Sequence, residues 1–280
     1  MDNYEYWVAC SSPPVLQIEP TTHCNMNCPF CLRNKFIPGE GGSISPEIFK
    51  KAVSYNGFRY PSLHWWGEPL MNPNLFEMIK YGAKKGLSVN FTTNATLIHE
   101  IAGDLLSSDL DIVAFSIPDL SLFFQKIYNN IEYFHKCREK RGLTHPKTYM
   151  NVAMMGCNFD TVEETLSVSR RLGVDAVNFE RSYLWRPEFS GKEDEVFRRA
   201  DDFAAKTGLK IYLPVCHTLP CRLFNTTLFV RYNGDVTPCC YRPDKVLRNI
   251  ASDSMDDIMS RRGTFRENME KDPVCMACGI

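Results

Sequence analysis

Three cysteines fall within one short stretch, Cys24-Asn25-Met26-Asn27-Cys28-Pro29-Phe30-Cys31, just after the apolar run Val15-Leu16-Gln17-Ile18. They are part of a total of 12 cysteines in 280 residues. No window reaches the roughly 18 apolar residues that a membrane span needs. The start, Met1-Asp2-Asn3-Tyr4-Glu5, lacks the basic and apolar regions of a secretory signal. The expectation is therefore a cytoplasmic chain whose thiols stay reduced, which disfavours a disulfide framework. Soft-metal ligation by thiolates is the physical alternative. C-x3-C-x2-C offers three thiolates to an iron–sulfur cubane and leaves one iron without a protein ligand, the logic of an open, reactive site. The same spacing also suits a zinc knuckle, with Cys10 or His23 as fourth ligand, or unliganded thiols.

Between about residue 15 and residue 180 apolar runs alternate with helical patterns. Strands are expected at 15–18, 62–66, 87–91, 112–116, 149–155 and 176–179. Helices are expected between them, and one more over 195–206. Ser45-Pro46-Glu47 marks a helix start, a capping residue followed by Pro at the first helical position. Gly173 marks a helix end. Repeated strand–helix units predict an α/β fold with a parallel sheet. After about residue 208 the pattern becomes β-like, with a hairpin signal at Asn233-Gly234 and one helix near 254–269. The expected division is residues 1–207 and 208–280.

At this point the chain resembles the radical S-adenosylmethionine (SAM) superfamily. The resemblance rests on C-x3-C-x2-C after strand one, with an aromatic before the last Cys. It rests also on Trp66-Gly67-Glu68-Pro69 after strand two, Thr92-Thr93-Asn94 after strand three and Ser116 ending strand four. It implies a partial (β/α)6 TIM-like barrel, and a catalytic 4Fe–4S cluster on Cys24, Cys28 and Cys31. It also implies SAM contacts from Phe30, Gly67, Glu68, Asn94 and Ser116. Trp66 stands where the family's motif has its first Gly, a departure at the floor of the site. The implied chemistry is reductive cleavage of SAM to a 5′-deoxyadenosyl radical that abstracts a substrate hydrogen, with a flavodoxin- or ferredoxin-type reductant.

Six further cysteines lie near the end: Cys216, Cys221, Cys239, Cys240, Cys275 and Cys278. Four thiolates suit a closed cubane or a zinc ribbon. C-x12-G-x4-C, then Asn249-Ile250, then C-x2-C, resembles the twitch module, a short form of the SPASM domain. That resemblance implies one auxiliary 4Fe–4S cluster on Cys221, Cys239, Cys275 and Cys278, with Cys240 and Cys216 as competing ligands. Cys10, Cys137 and Cys157 read as packing residues, His217 as a surface residue, and Arg261-Arg262 as a solvated face. Lys and Arg number 32 against 33 Asp and Glu, which argues against a nucleic-acid partner.

The architecture and cysteine spacing resemble 2-deoxy-scyllo-inosamine dehydrogenase. The expected function is thus a two-electron oxidation of a small molecule, with the auxiliary cluster as electron acceptor. Glu180, Arg181 and Tyr183, at the end of strand six, are the candidate catalytic residues. The alternatives are radical modification of a ribosomal peptide (epimerisation, thioether or carbon–carbon crosslinking) and a non-enzymatic iron–sulfur or zinc protein.

Overall fold

The structure, a computed structural model, describes residues 14–37, 41–116, 124–154, 159–181, 189–214, 219 and 221–278. Cys10, Cys157, Tyr183, Cys216 and His217 lie outside them. The fold is α/β, built on open parallel sheet rather than a closed barrel. The chain forms two compact units, residues 1–91 with 218–277, and residues 92–217 with 278–280.

The first unit is built on β1 (Val15–Ile18), β2 (Tyr60–Leu63), the start of β3 (Asn90–Thr93), β8 (Thr227–Val230), β9 (Asp235–Thr237) and β10 (Arg248–Asn249). Their order is β10-β9-β8-β1-β2-β3. β1 lies between two parallel neighbours, with Gln17 opposite Ser62 on one side and Phe229 on the other. A strand buried in this way takes apolar residues, and Leu16 and Ile18 are wholly buried. β8 and β9 make an antiparallel hairpin through Asn233-Gly234, where Gly234 has φ +88°. A Cβ there would come within 2.9 Å of Asn249 Oδ1, so Gly suits both the turn and the close approach.

Helices of this unit are α1 (Arg33–Phe36), α2 (Pro46–Ala52) and α3 (Leu75–Lys84). Beyond them come α8 (Arg222–Thr226), α9 (Met255–Glu267) and α10 (Pro273–Met276). Ser45 caps α2 as expected, its Oγ accepting from the Ile48 N–H at 3.3 Å with Pro46 at the first position. Ser254 caps α9 in the same way.

The second unit contains β4 (Ile112–Ser116), β5 (Lys147–Met154), β6 (Ala176–Arg181) and β7 (Lys210–Tyr212), in that order and parallel. Its helices are α4 (Ile98–Leu106), α5 (Phe124–Lys140), α6 (Val162–Leu172) and α7 (Ser190–Thr207). α6 ends where Gly173 turns left-handed, φ +74°. The core holds Phe115, Phe134, Met150 and Phe179, all buried. β7 is an addition to the expected strands: a short run of Lys210-Ile211-Tyr212 too brief to show a period.

Candidate functional site

The first cysteine loop leaves the C-terminal end of β1, the edge at which parallel α/β sheets bind ligands. Its root is pinned. Thr21 bridges Ser43, the Thr22 N–H donates to Gly42 O at 2.9 Å, and Arg33 donates to the carbonyls of Thr22 and Met26. Cys24, Cys28 and Cys31 are half-buried. The Cys31 N–H donates to Cys28 O at 3.1 Å, which closes a tight bend between the later two cysteines. Burial, then the nearby charges of Cys31 and Cys24, pushes the Cys28 thiol up; burial, with Glu68 and Cys31 adding to it, does the same to Cys24. A bound metal would invert that balance, because a coordinating thiol is deprotonated.

The turn after β2 is clamped to this loop. The Glu68 N–H donates to His23 O at 2.8 Å. A Cβ on Gly67 would come within 1.9 Å of Thr21 O and 2.9 Å of His23 O, so only glycine fits against the loop root. Glu68 is 2% exposed, far from a solvated loop acid, and its Oε1 accepts from the Leu70 N–H at 3.2 Å. Among the described residues, no three of His, Cys, Asp or Glu converge as ligands of a single metal ion do. A cubane asks for less convergence, because each thiolate meets a different iron. The donor set fits that group: three soft thiols on one short loop, with a buried carboxylate held near them by a glycine that no larger residue could replace.

The remaining expected cofactor contacts sit at strand ends. Phe30 is half-buried within the cysteine loop. Asn94 follows β3, and its Oδ1 accepts from the Thr96 N–H and hydroxyl at 3.0 and 2.6 Å. Ser116 ends β4 opposite Asn151. Of the candidate catalytic residues, Glu180 is exposed and accepts from Asn178 Nδ2 at 2.6 Å. Arg181 is engaged elsewhere: its guanidinium makes a two-pronged pair with buried Glu193, at 2.6 to 3.0 Å, tying β6 to the first turns of α7.

Two groups at the same edge of the first unit were not singled out from the sequence. Ser62 Oγ donates to Asn90 Oδ1 at 2.6 Å and lies 3.0 Å from His64 Nδ1. A hydroxyl has one proton, so toward His64 it accepts; the network therefore puts the ring proton on Nδ1 and leaves Nε2 with a lone pair. Burial pushes the His64 pKa down to about 4, which keeps the ring neutral at pH 7. Polar residues two apart, Ser62 and His64, on an otherwise apolar strand were the available signal. Glu19, wholly buried just past β1, faces Arg231 at 3.6 Å. Burial raises its pKa to about 7 against the pull of Arg231.

The second cysteine set is also held by named contacts. The Cys221 N–H donates to Met269 Sδ at 3.3 Å, and Cys221 leads into α8. Cys239 O accepts from Thr237 Oγ1 and the Arg242 N–H, and Cys240 O accepts from Trp65 Nε1. Asp272 caps α10 by accepting from the Val274 and Cys275 N–H groups, and pairs with Arg242 at 2.8 Å. That pair joins the turn after Cys240 to the turn before Cys275. Cys278 is half-buried. The expected solvated face at 261–262 is corrected: Arg261 is exposed, but Arg262 is buried over the Phe224 ring, 4.1 Å from its centroid, and donates to the carbonyls of Phe224 and Thr227. The small module uses that guanidinium as a core strut.

Two family models cover the regions that carry the two cysteine sets. A sequence model described as the Radical SAM superfamily matches residues 18–178, and one described as an iron-sulfur cluster-binding domain, SPASM, matches residues 221–279. The chain is 25% identical over 257 residues to the tungsten-containing aldehyde ferredoxin oxidoreductase cofactor-modifying protein of Pyrococcus furiosus, covering 80% of this chain and 70% of the relative. It is 24% identical over 319 residues to the AdoMet-dependent heme synthase of Methanosarcina barkeri, covering 96% and 88%. In fold it is similar to Streptococcus suis SuiB bound to S-adenosylmethionine, with a TM-score of 0.73, 18% identity, and coverage of 99% of this chain and 71% of SuiB. SuiB has also been solved with its precursor peptide SuiA. None of these likenesses extends to dehydrogenation of a small molecule. Among the described residues, no helix is long and apolar enough to cross a membrane.

Proposed function

The chain belongs to the radical SAM superfamily, and from that premise we propose a cytoplasmic enzyme that carries out a two-electron oxidation of a small molecule or cofactor. Membership brings SAM and a 4Fe–4S cluster, and the SPASM module brings auxiliary iron–sulfur binding. When bound, SAM and the reduced cluster supply a 5′-deoxyadenosyl radical for hydrogen abstraction.

The chain's own residues do the rest. Cys24, Cys28 and Cys31 hold the catalytic cluster. Gly67 lets the turn after β2 close on the cysteine loop, and Glu68 presents a buried carboxylate to the amino group of SAM, a charge-assisted contact. In this reading Phe30 serves the adenine, and Asn94 and Ser116 the ribose or carboxylate of SAM. Cys221, Cys239, Cys275 and Cys278, within residues 208–280, hold the auxiliary cluster, the electron acceptor in this reading. Glu180, at the end of β6, is the candidate to take the proton that a two-electron oxidation releases; His64, with its pKa pushed down to about 4, is too weak a base for that step at pH 7. The observation that carries the reading is the clamp between Glu68 N–H, Gly67 and the backbone of Thr21 and His23.

The choice of a small molecule is supported by the two sequence relatives, one named for modifying a cofactor and one for heme synthesis. Peptide modification is the second reading, favoured by the fold shared with a peptide-binding enzyme along nearly the whole chain. A short precursor-peptide gene beside this one would favour it. The test of the shared chemistry is anaerobic reconstitution, dithionite reduction and long incubation with SAM. The reading expects 5′-deoxyadenosine; its absence contradicts the reading.

A further inference from the structure

We propose that Trp65 is a positioning residue for the auxiliary cluster: from the end of β2, its indole N–H holds the Cys239-Cys240 turn in place. The inference rests on the reading of Cys239 as a cluster ligand. Trp65 Nε1 donates to Cys240 O at 3.1 Å, across 175 residues of sequence. The direction of that N–H is set by packing. The Trp65 ring meets Phe229 edge-on at 5.9 Å and 79°, and Trp66 at 6.0 Å and 80°. Trp66 in turn lies flat on Phe36 of α1, at 5.2 Å and 9°. The indole is therefore wedged and presents its donor from the turn just after β2, held by its ring contacts.

The receiving turn is held from two sides. Cys239 O already accepts from Thr237 and Arg242, so Trp65 fixes the next carbonyl along. Each fixed carbonyl holds its own peptide plane, and the two planes flank the Cys240 Cα, so together they set the Cα–Cβ direction of Cys240 and fix the turn that follows Cys239. Outer contacts of this kind orient metal ligands without touching the metal. The same turn after β2 carries Gly67 and Glu68, so one segment serves both thiol sets. This also gives Trp66 an occupation at the position where the family's motif has glycine: it braces Trp65 against α1.

The test uses the full chain, reconstituted anaerobically, with Trp65→Phe and Trp66→Phe beside wild type. Trp65→Phe keeps an aromatic ring against Phe229 and removes the donor together with the second ring of the indole. Iron per chain, the electron paramagnetic resonance of each cluster, and iron release to a ferrous chelator are measured. Loss of one hydrogen bond should speed release from the auxiliary cluster on the order of fivefold and alter its signal. The catalytic cluster's SAM-induced spectral change should persist, and Trp66→Phe, which keeps the Trp65 donor and a ring against Phe36, should release iron more slowly than Trp65→Phe. Three outcomes would overturn the proposal: wild-type release and spectra in Trp65→Phe, equal lability in Trp66→Phe, or loss of both clusters together in Trp65→Phe. A wild type holding about four irons rather than about eight would instead defeat the auxiliary-cluster reading itself.

Discussion

Gly67 shows how one missing side chain can place a cofactor site. Its backbone lies where any Cβ would strike Thr21 O, so the turn bearing Glu68 can approach the cysteine loop only as glycine. Gly67→Ala should displace one backbone or the other, with an overpacking cost of about 1–3 kcal/mol. The expected outcome is a lower melting temperature together with loss of SAM-induced spectral change; a variant that binds SAM as wild type does would contradict the clamp. At this scale the sequence was legible where chemistry is local. Cys24, Cys28 and Cys31 stand out by their spacing, and Gly67 with Glu68 by the motif they resemble, because each signal lies within a few adjacent residues. His64, Trp65 and Glu19 do not, because what holds them is far away in sequence: Asn90 reached through Ser62 for His64, Cys240 for Trp65 and Arg231 for Glu19. Arg262 was misplaced for the same reason: an Arg-Arg pair on a helix looks solvated until Phe224 is folded against it.

Elements were legible where their signals are punctuation. Ser45-Pro46, Gly173 and Asn233-Gly234 each end or start an element where expected. Strand ends were less so, because a ladder is as long as its shortest partner. β2 stops at Leu63, matched to the four residues of β1, which leaves Trp65 and Trp66 beyond it and available for the auxiliary turn. α10 illustrates a designed element of minimal length. Asp272 caps it, Pro273 starts it, and Arg242 ties it to the hairpin. Asp272→Ala removes the cap, at about 1 kcal/mol, and strips a largely buried Arg242 of one partner. The variant should keep about four irons, lose much of the remainder, and retain SAM cleavage. Full iron content in Asp272→Ala would show that this tie does not hold the second site.

At the scale of the whole molecule, the auxiliary module is joined to the strand that launches the catalytic loop. β8 pairs with β1 along its entire length, and Leu228, Phe229 and Val230 are wholly buried. Each such side chain contributes about 1.5–3 kcal/mol by burial. Local patterning could not show this: a β-like run after residue 208 reads equally as the start of a separate module. Removing residues 208–280 should therefore expose the edge of β1 and cost the catalytic cluster as well, seen as low soluble yield and little iron. A soluble truncated chain that still holds about four irons and cleaves SAM would contradict that coupling. The account as a whole stands on one measurement: 5′-deoxyadenosine formed from SAM by the anaerobically reconstituted, reduced full chain, beside Cys24→Ala. Product from wild type and none from Cys24→Ala is the predicted result; no product from wild type, or undiminished product from Cys24→Ala, would contradict it.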